Sequence, residues 1–76
     1  MTASELQDLI VTRLTRDRGG TRPAWRRALG QVKVYDPATH PHCNWSISPA
    51  GSALANEAIE ELLDQLRLEH PRVVNG

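Results

Sequence analysis

Apolar residues recur at three- and four-residue steps in two long stretches near opposite ends of this chain. Leu6, Leu9, Ile10 and Leu14 make one stripe. Leu54, Ala58, Ile59, Leu62 and Leu66 make the other, with Ala55 and Leu63 at its edges. A repeat close to 3.6 residues marks a helix with one buried face. In a chain of 76 residues, two such helices leave room for little else, so the fold depends on what fits between them.

The first helix is expected from about Ala3 to Arg18. Thr2 and Glu5 have the spacing of a capping box. Arg16 and Arg18 suit the negative end of the helix dipole, and Gly19 and Gly20 stop the helix. The last helix is expected from about Ser52 to Glu69, with Ser48 or Ser52 available to cap it. His70 and Pro71 end it, because proline disfavours a helical residue before it. Residues 1–2 and the tail 72–76 read as frayed ends; Val73 and Val74 are too few to establish a strand.

Between the helices, Thr21 to Leu29 reads as a short helix with Pro23 in its first turn and Gly30 at its end. The alternative is the opening of a long strand. Gln31 to Asp36 and Cys43 to Ser48 each alternate apolar and polar residues, the pattern of half-buried strands. The linker Pro37-Ala38-Thr39-His40-Pro41-His42 holds two prolines and cannot continue either strand. The pair is therefore expected to form an antiparallel hairpin, with Val32, Val34, Trp45 and Ile47 buried and Lys33, Tyr35, Asn44 and Ser46 facing out. The expected fold class is α+β: a small single domain spanning 1–76, in the order α-(short α)-β-β-α, with the two-stranded antiparallel hairpin packed on two long helices.

A two-stranded ribbon is unstable alone in water and must share the helical core. With 39% hydrophobic and 24% charged residues the composition is that of a globular domain. One cysteine excludes an internal disulfide. No apolar run exceeds three residues, which argues against a membrane partner and against a secretory signal, so a cytoplasmic location is the expectation.

Nine basic and nine acidic residues cancel, which is unlike a strongly basic nucleic-acid binder. The charge is nevertheless divided along the chain. Residues 1–35 carry seven basic and three acidic side chains, and residues 36–76 carry two and six. Either the halves face each other in the fold, or the arginines form a binding face. The nucleic-acid reading rests on Arg13, Arg16, Arg22, Arg26, Arg27 and Lys33, with Tyr35 as a stacking ring.

Residues 39–45, Thr-His-Pro-His-Cys-Asn-Trp, are the segment least like ordinary scaffold. His40, His42 and Cys43 are metal-ligand types, and a neighbouring histidine can activate a thiol. Their spacing fits no common structural zinc site. Asp36 and Asn44 are nominal orienters for a Cys43 pair, but no phosphate loop, nucleophile elbow or paired inward carboxylate accompanies them. The sequence therefore gives no expected cofactor and no catalytic set. The favoured reading is a non-enzymatic binding module, acting on another protein or on a second copy of itself through the 39–45 loop and the outward ribbon face. The candidate contacts are His40, His42, Asn44, Lys33 and Tyr35. Nucleic-acid binding is the alternative, and a metal or thiol site at His40, His42 and Cys43 is the third reading.

Overall fold

The computed structural model describes residues 1–76. Three helices and one two-stranded antiparallel sheet follow in the order α1 (Ala3–Arg18), α2 (Arg22–Leu29), β1 (Lys33–Val34), β2 (Trp45–Ser46) and α3 (Ala53–Glu69). The result is a small α+β domain with the expected succession of elements.

Local chemistry sets the helix ends. The Thr2 hydroxyl accepts from the Glu5 backbone N–H, and the Glu5 carboxylate accepts from the Thr2 N–H, completing the capping box. At the other end Gly19 and Gly20 have φ of 79° and 82°. Side chains rarely adopt that conformation, which is why a glycine pair can turn the chain from α1 into α2. The Trp25 indole closes the turn by donating to the Gly19 carbonyl at 2.7 Å. The Thr21 hydroxyl caps α2 through the Ala24 N–H. Residues 22–29 are therefore helix, and the strand alternative is excluded.

One core joins all the elements. Leu6, Ile10, Val11 and Leu14 of α1 meet Leu29 of α2 and Ala58, Ile59, Leu63 and Leu66 of α3, together with Trp45, Ile47 and Val73. The ribbon register pairs Val34 with Trp45 and Lys33 with Ser46. Val32 and Val34 pack against the core from the same face as Trp45 and Ile47, as the alternation requires.

Three expectations are corrected. Leu63, expected at the edge of the α3 stripe, is fully buried with Ile59 and Leu66, while Leu54 is 80% exposed. Leu63 stands four residues after Ile59 and three before Leu66, whereas Leu54, five residues before Ile59, falls roughly 140° around the helix from it. The strands span two residues each, far less than their alternating pattern. The ends are not frayed. The tail runs back beside the N-terminus, where Val74 forms a parallel bridge with Thr2. Val74 donates to the Met1 carbonyl and accepts from the Ala3 N–H, and the Gly76 carbonyl accepts from the Ser4 N–H. Val73 is buried. The unpaired N–H groups of the first turn of α1 thus supply partners for the tail.

No helix is long and apolar enough to cross a membrane.

Candidate functional site

The outer face of the ribbon presents Lys33 and Tyr35, both exposed. The Tyr35 hydroxyl lies 3.0 Å from Ser46 Oγ on the neighbouring strand. The His40 ring stacks on Tyr35, with centroids 4.4 Å apart and planes inclined by 19°. The turn that places His40 is built by Asp36. Its carboxylate accepts from the Ala38 N–H at 2.9 Å, and its carbonyl accepts from the N–H groups of Thr39 and His40. Aspartate is suited to this because its short side chain folds back onto the backbone two residues ahead.

Thr39 fixes the ring further. Its hydroxyl donates to the Asp36 carbonyl at 3.0 Å and also contacts His40 Nδ1 at 3.0 Å. A depression of about 360 Å³ adjoins Tyr35, with Pro37 on its rim and the exposed Val74 across it.

The remaining loop residues diverge. His42 is exposed. Cys43 turns inward, packs against the core and places its thiol 3.4 Å from the Trp45 carbonyl. His40 therefore lies against the outward Tyr35 while Cys43 faces the interior. No group of three His, Cys, Asp or Glu side chains is placed to hold a metal ion.

Asn44 is a correction. It was expected to face outward as a contact residue, yet it is 1% exposed. The chain bends at Asn44, just before β2 begins, so strand alternation does not apply to it. Its side-chain Oδ1 accepts from the Val73 N–H at 2.8 Å, and its Nδ2 donates to the Val73 and Tyr35 carbonyls. Its backbone N–H donates to the Pro71 carbonyl. Trp45 adds an indole bond to the His70 carbonyl at 2.8 Å, and Arg72 reaches the Pro41 carbonyl at 3.2 Å. Asn44 thus joins the ribbon to the tail and holds the site from behind.

The arginines are largely engaged. Arg13 pairs with Glu69, Arg26 with Asp8 and Arg16 with its neighbour Asp17. Arg18 pairs with Glu61. The basic first half and acidic second half of the chain therefore meet between α1 and α3. Arg22 donates to the Thr12 hydroxyl. Arg22, Arg27 and Lys33 are the nucleic-acid candidates that lie outside the ion pairs.

Two contributors to this surface were not singled out from the sequence. Ser46 buttresses Tyr35, and Val74 walls the depression. Ser46 carried a signal, since it shares the outward register with Lys33. Val74 did not, because nothing local told where a five-residue tail would lie. Comparison with protein-family models, with curated proteins and with solved structures finds no match, so the reading of this surface rests on its own geometry.

Proposed function

We propose that this chain is a binding module that takes up a protein partner on the outer ribbon face, with Tyr35 and His40 as the central contact and Lys33 and His42 at its edge. The observation that carries the reading is the exposed aromatic stack. Tyr35 and His40 are held in one geometry by Ser46, Thr39 and the Asp36 turn, although neither ring is buried. Rings ordered before binding lose little further freedom when a partner covers them, and tyrosine is enriched among residues that dominate interfaces. The neighbouring depression gives a partner side chain a place to enter.

The test is affinity capture from the cells that make the protein, comparing the native chain with Tyr35→Ala and Lys33→Glu. Glu60→Lys, on α3, serves as the control for a general charge effect. A partner retained by the native chain and by Glu60→Lys but lost from both ribbon variants is the expected result. A set of captured proteins that the ribbon variants leave unchanged rejects the reading.

A further inference from the structure

The ribbon has an unused edge. The Tyr35 N–H donates to the Asn44 carbonyl, so the neighbouring Val34–Trp45 pair of this antiparallel register is the non-hydrogen-bonded kind. The Val34 N–H and carbonyl therefore point away from β2. Two residues earlier, neither the N–H nor the carbonyl of Val32 takes part in a backbone hydrogen bond.

Two hollows lie along this edge. The depression beside Tyr35 is lined by Val34 as well as Tyr35, and a second hollow, of about 190 Å³, is lined by Gln31 and Val32. Neighbouring residues of an extended chain point to opposite faces. A hollow lined by both members of such a pair lies at the edge of the ribbon rather than on a face. No residue of β2 lines either hollow.

The tail forms the opposite wall. Val73, Val74 and Asn75 lie across the first hollow from Val34 and Tyr35, and Gly76 lies across the second from Val32. The tail thus runs antiparallel to β1 with a gap between them. Val74 uses both its backbone groups on the far side, with Met1 and Ala3. Val73 uses its own on Asn44. In an extended chain the backbone groups of Asn75 point to the same side as those of Val73, and Asn75 makes no backbone hydrogen bond.

A lone edge of two residues is satisfied by water. Here two edges face each other across an open gap, and each carries unpaired backbone groups. We infer that the partner of the ribbon contributes an extended segment, which enters between β1 and the tail as an added strand and hydrogen-bonds to both. One apolar side chain of that segment fills the depression between Tyr35 and the exposed Val74. The inference rests on the reading of the ribbon face as a protein contact, and names the form the partner takes there.

The probe is a capped six-residue peptide alternating valine and threonine. Two controls carry N-methyl groups on the odd or on the even amides, which removes the donors along one edge. Each is titrated into the ¹⁵N-labelled protein. The unmodified peptide is expected to shift the Val32, Val34 and Asn75 amides saturably and to slow their hydrogen exchange at least tenfold. Both methylated peptides are expected to bind at least tenfold more weakly, because each edge of the entering strand meets one wall. Asn75→Pro, at an exposed position, removes a donor from the tail wall and is expected to weaken the unmodified peptide severalfold. Equal binding of all three peptides, or no shift at millimolar concentration, overturns the inference. So does protection of Val34 that grows with protein concentration alone, which would assign the edge to a second copy of the chain. The two readings separate in a captured complex. Capture that depends on Tyr35 while Val34 and Asn75 exchange at their free rates rejects the added strand and leaves the ribbon contact standing. Peptide protection of those amides, beside capture that ignores Tyr35→Ala and Lys33→Glu, retains the strand and rejects the ribbon contact.

Discussion

Helix α3 closes its own hydrogen bonds over 17 residues and needs neighbours only to cover its apolar stripe, whereas each ribbon strand pairs over two residues and relies on the tail. So short a ladder cannot hold itself together in water. The Asn44 amide does what a longer strand's backbone would do. It offers one acceptor and one donor side by side, and both meet Val73. The Trp45 indole performs a second task of the same kind at the end of α3, where the His70 carbonyl would otherwise lack a partner. The helical region is thus stabilised by burial and regular backbone bonding. The ribbon and tail are tied by a few side-chain bonds, most of them centred on Asn44.

That contrast breaks most readily at Asn44. Asn44→Leu keeps a similar shape but leaves both backbone groups of Val73 without side-chain partners, and a loss of about 2–5 kcal/mol is expected from orphaned buried polar groups. Hydrogen exchange followed by NMR should show early loss of protection at Val73 and Val74, with the centres of α1 and α3 protected until global unfolding. Equal loss everywhere would make the two regions one unit and end the distinction.

A smaller effect is expected where the helices meet the turn before α3. A Cβ on Gly51 would stand 2.7 Å from Ala28 Cβ and 3.3 Å from Ala55 Cβ. Neither methyl can swing aside, so Gly51→Ala should cost about 1–3 kcal/mol in urea unfolding through overpacking. Adding Ala28→Gly should recover part of it. A single variant as stable as the native chain would show that the turn does not pack so closely on α2.

The smallest effect concerns the cap of α1. The Thr2 backbone N–H, and after it the Thr2 side chain, hold the Glu5 carboxyl below the usual glutamate range. A carboxyl with its pKa depressed by folding contributes stability that is present above the unfolded pKa and is lost as the pH falls through the folded one. The stability gap between the native chain and Glu5→Gln should therefore be steady near neutral pH and narrow below roughly pH 4–5. A gap that does not change with pH would mean that the charge of Glu5 has no part in the cap.

The helices were legible because their signals are local. Thr2 with Glu5, Gly19 with Gly20 and Pro23 with Gly30 act within a turn or two of themselves, and the structure ends each helix within a residue or two of where they direct. The buried face of the ribbon was legible for the same reason, since alternation places Val34 and Trp45 together without reference to the remainder of the chain. The candidate surface was legible in part. Lys33 and Tyr35 do face outward, and the prolines do mark a loop. The stack of His40 on Tyr35 was not foreseen, because it depends on how the Asp36 turn folds the loop back over the strand. Asn44 was misread because a bend cancels the alternation that would have turned it outward. Leu54 was misread because its four-residue step to Ala58 does not bring it onto the face that Ile59, Leu63 and Leu66 bury.

Taken alone, the sequence determined two long helices, the presence and inner face of a hairpin, and the α+β class, since propensity, capping and periodicity act between residues close in the chain; it left 21–29 open between helix and strand. The tertiary structure alone decided where the tail lies, which polar residue is buried and which leucine stays in water. Each of those depends on groups far apart in sequence: Asn44 meets Val73 across 29 residues, and Ser4 meets Gly76 across 72. It also decided the partners of the charges. Attraction between a basic and an acidic half has no preferred pairing until packing of α1 against α3 sets Arg13 beside Glu69 and Arg18 beside Glu61.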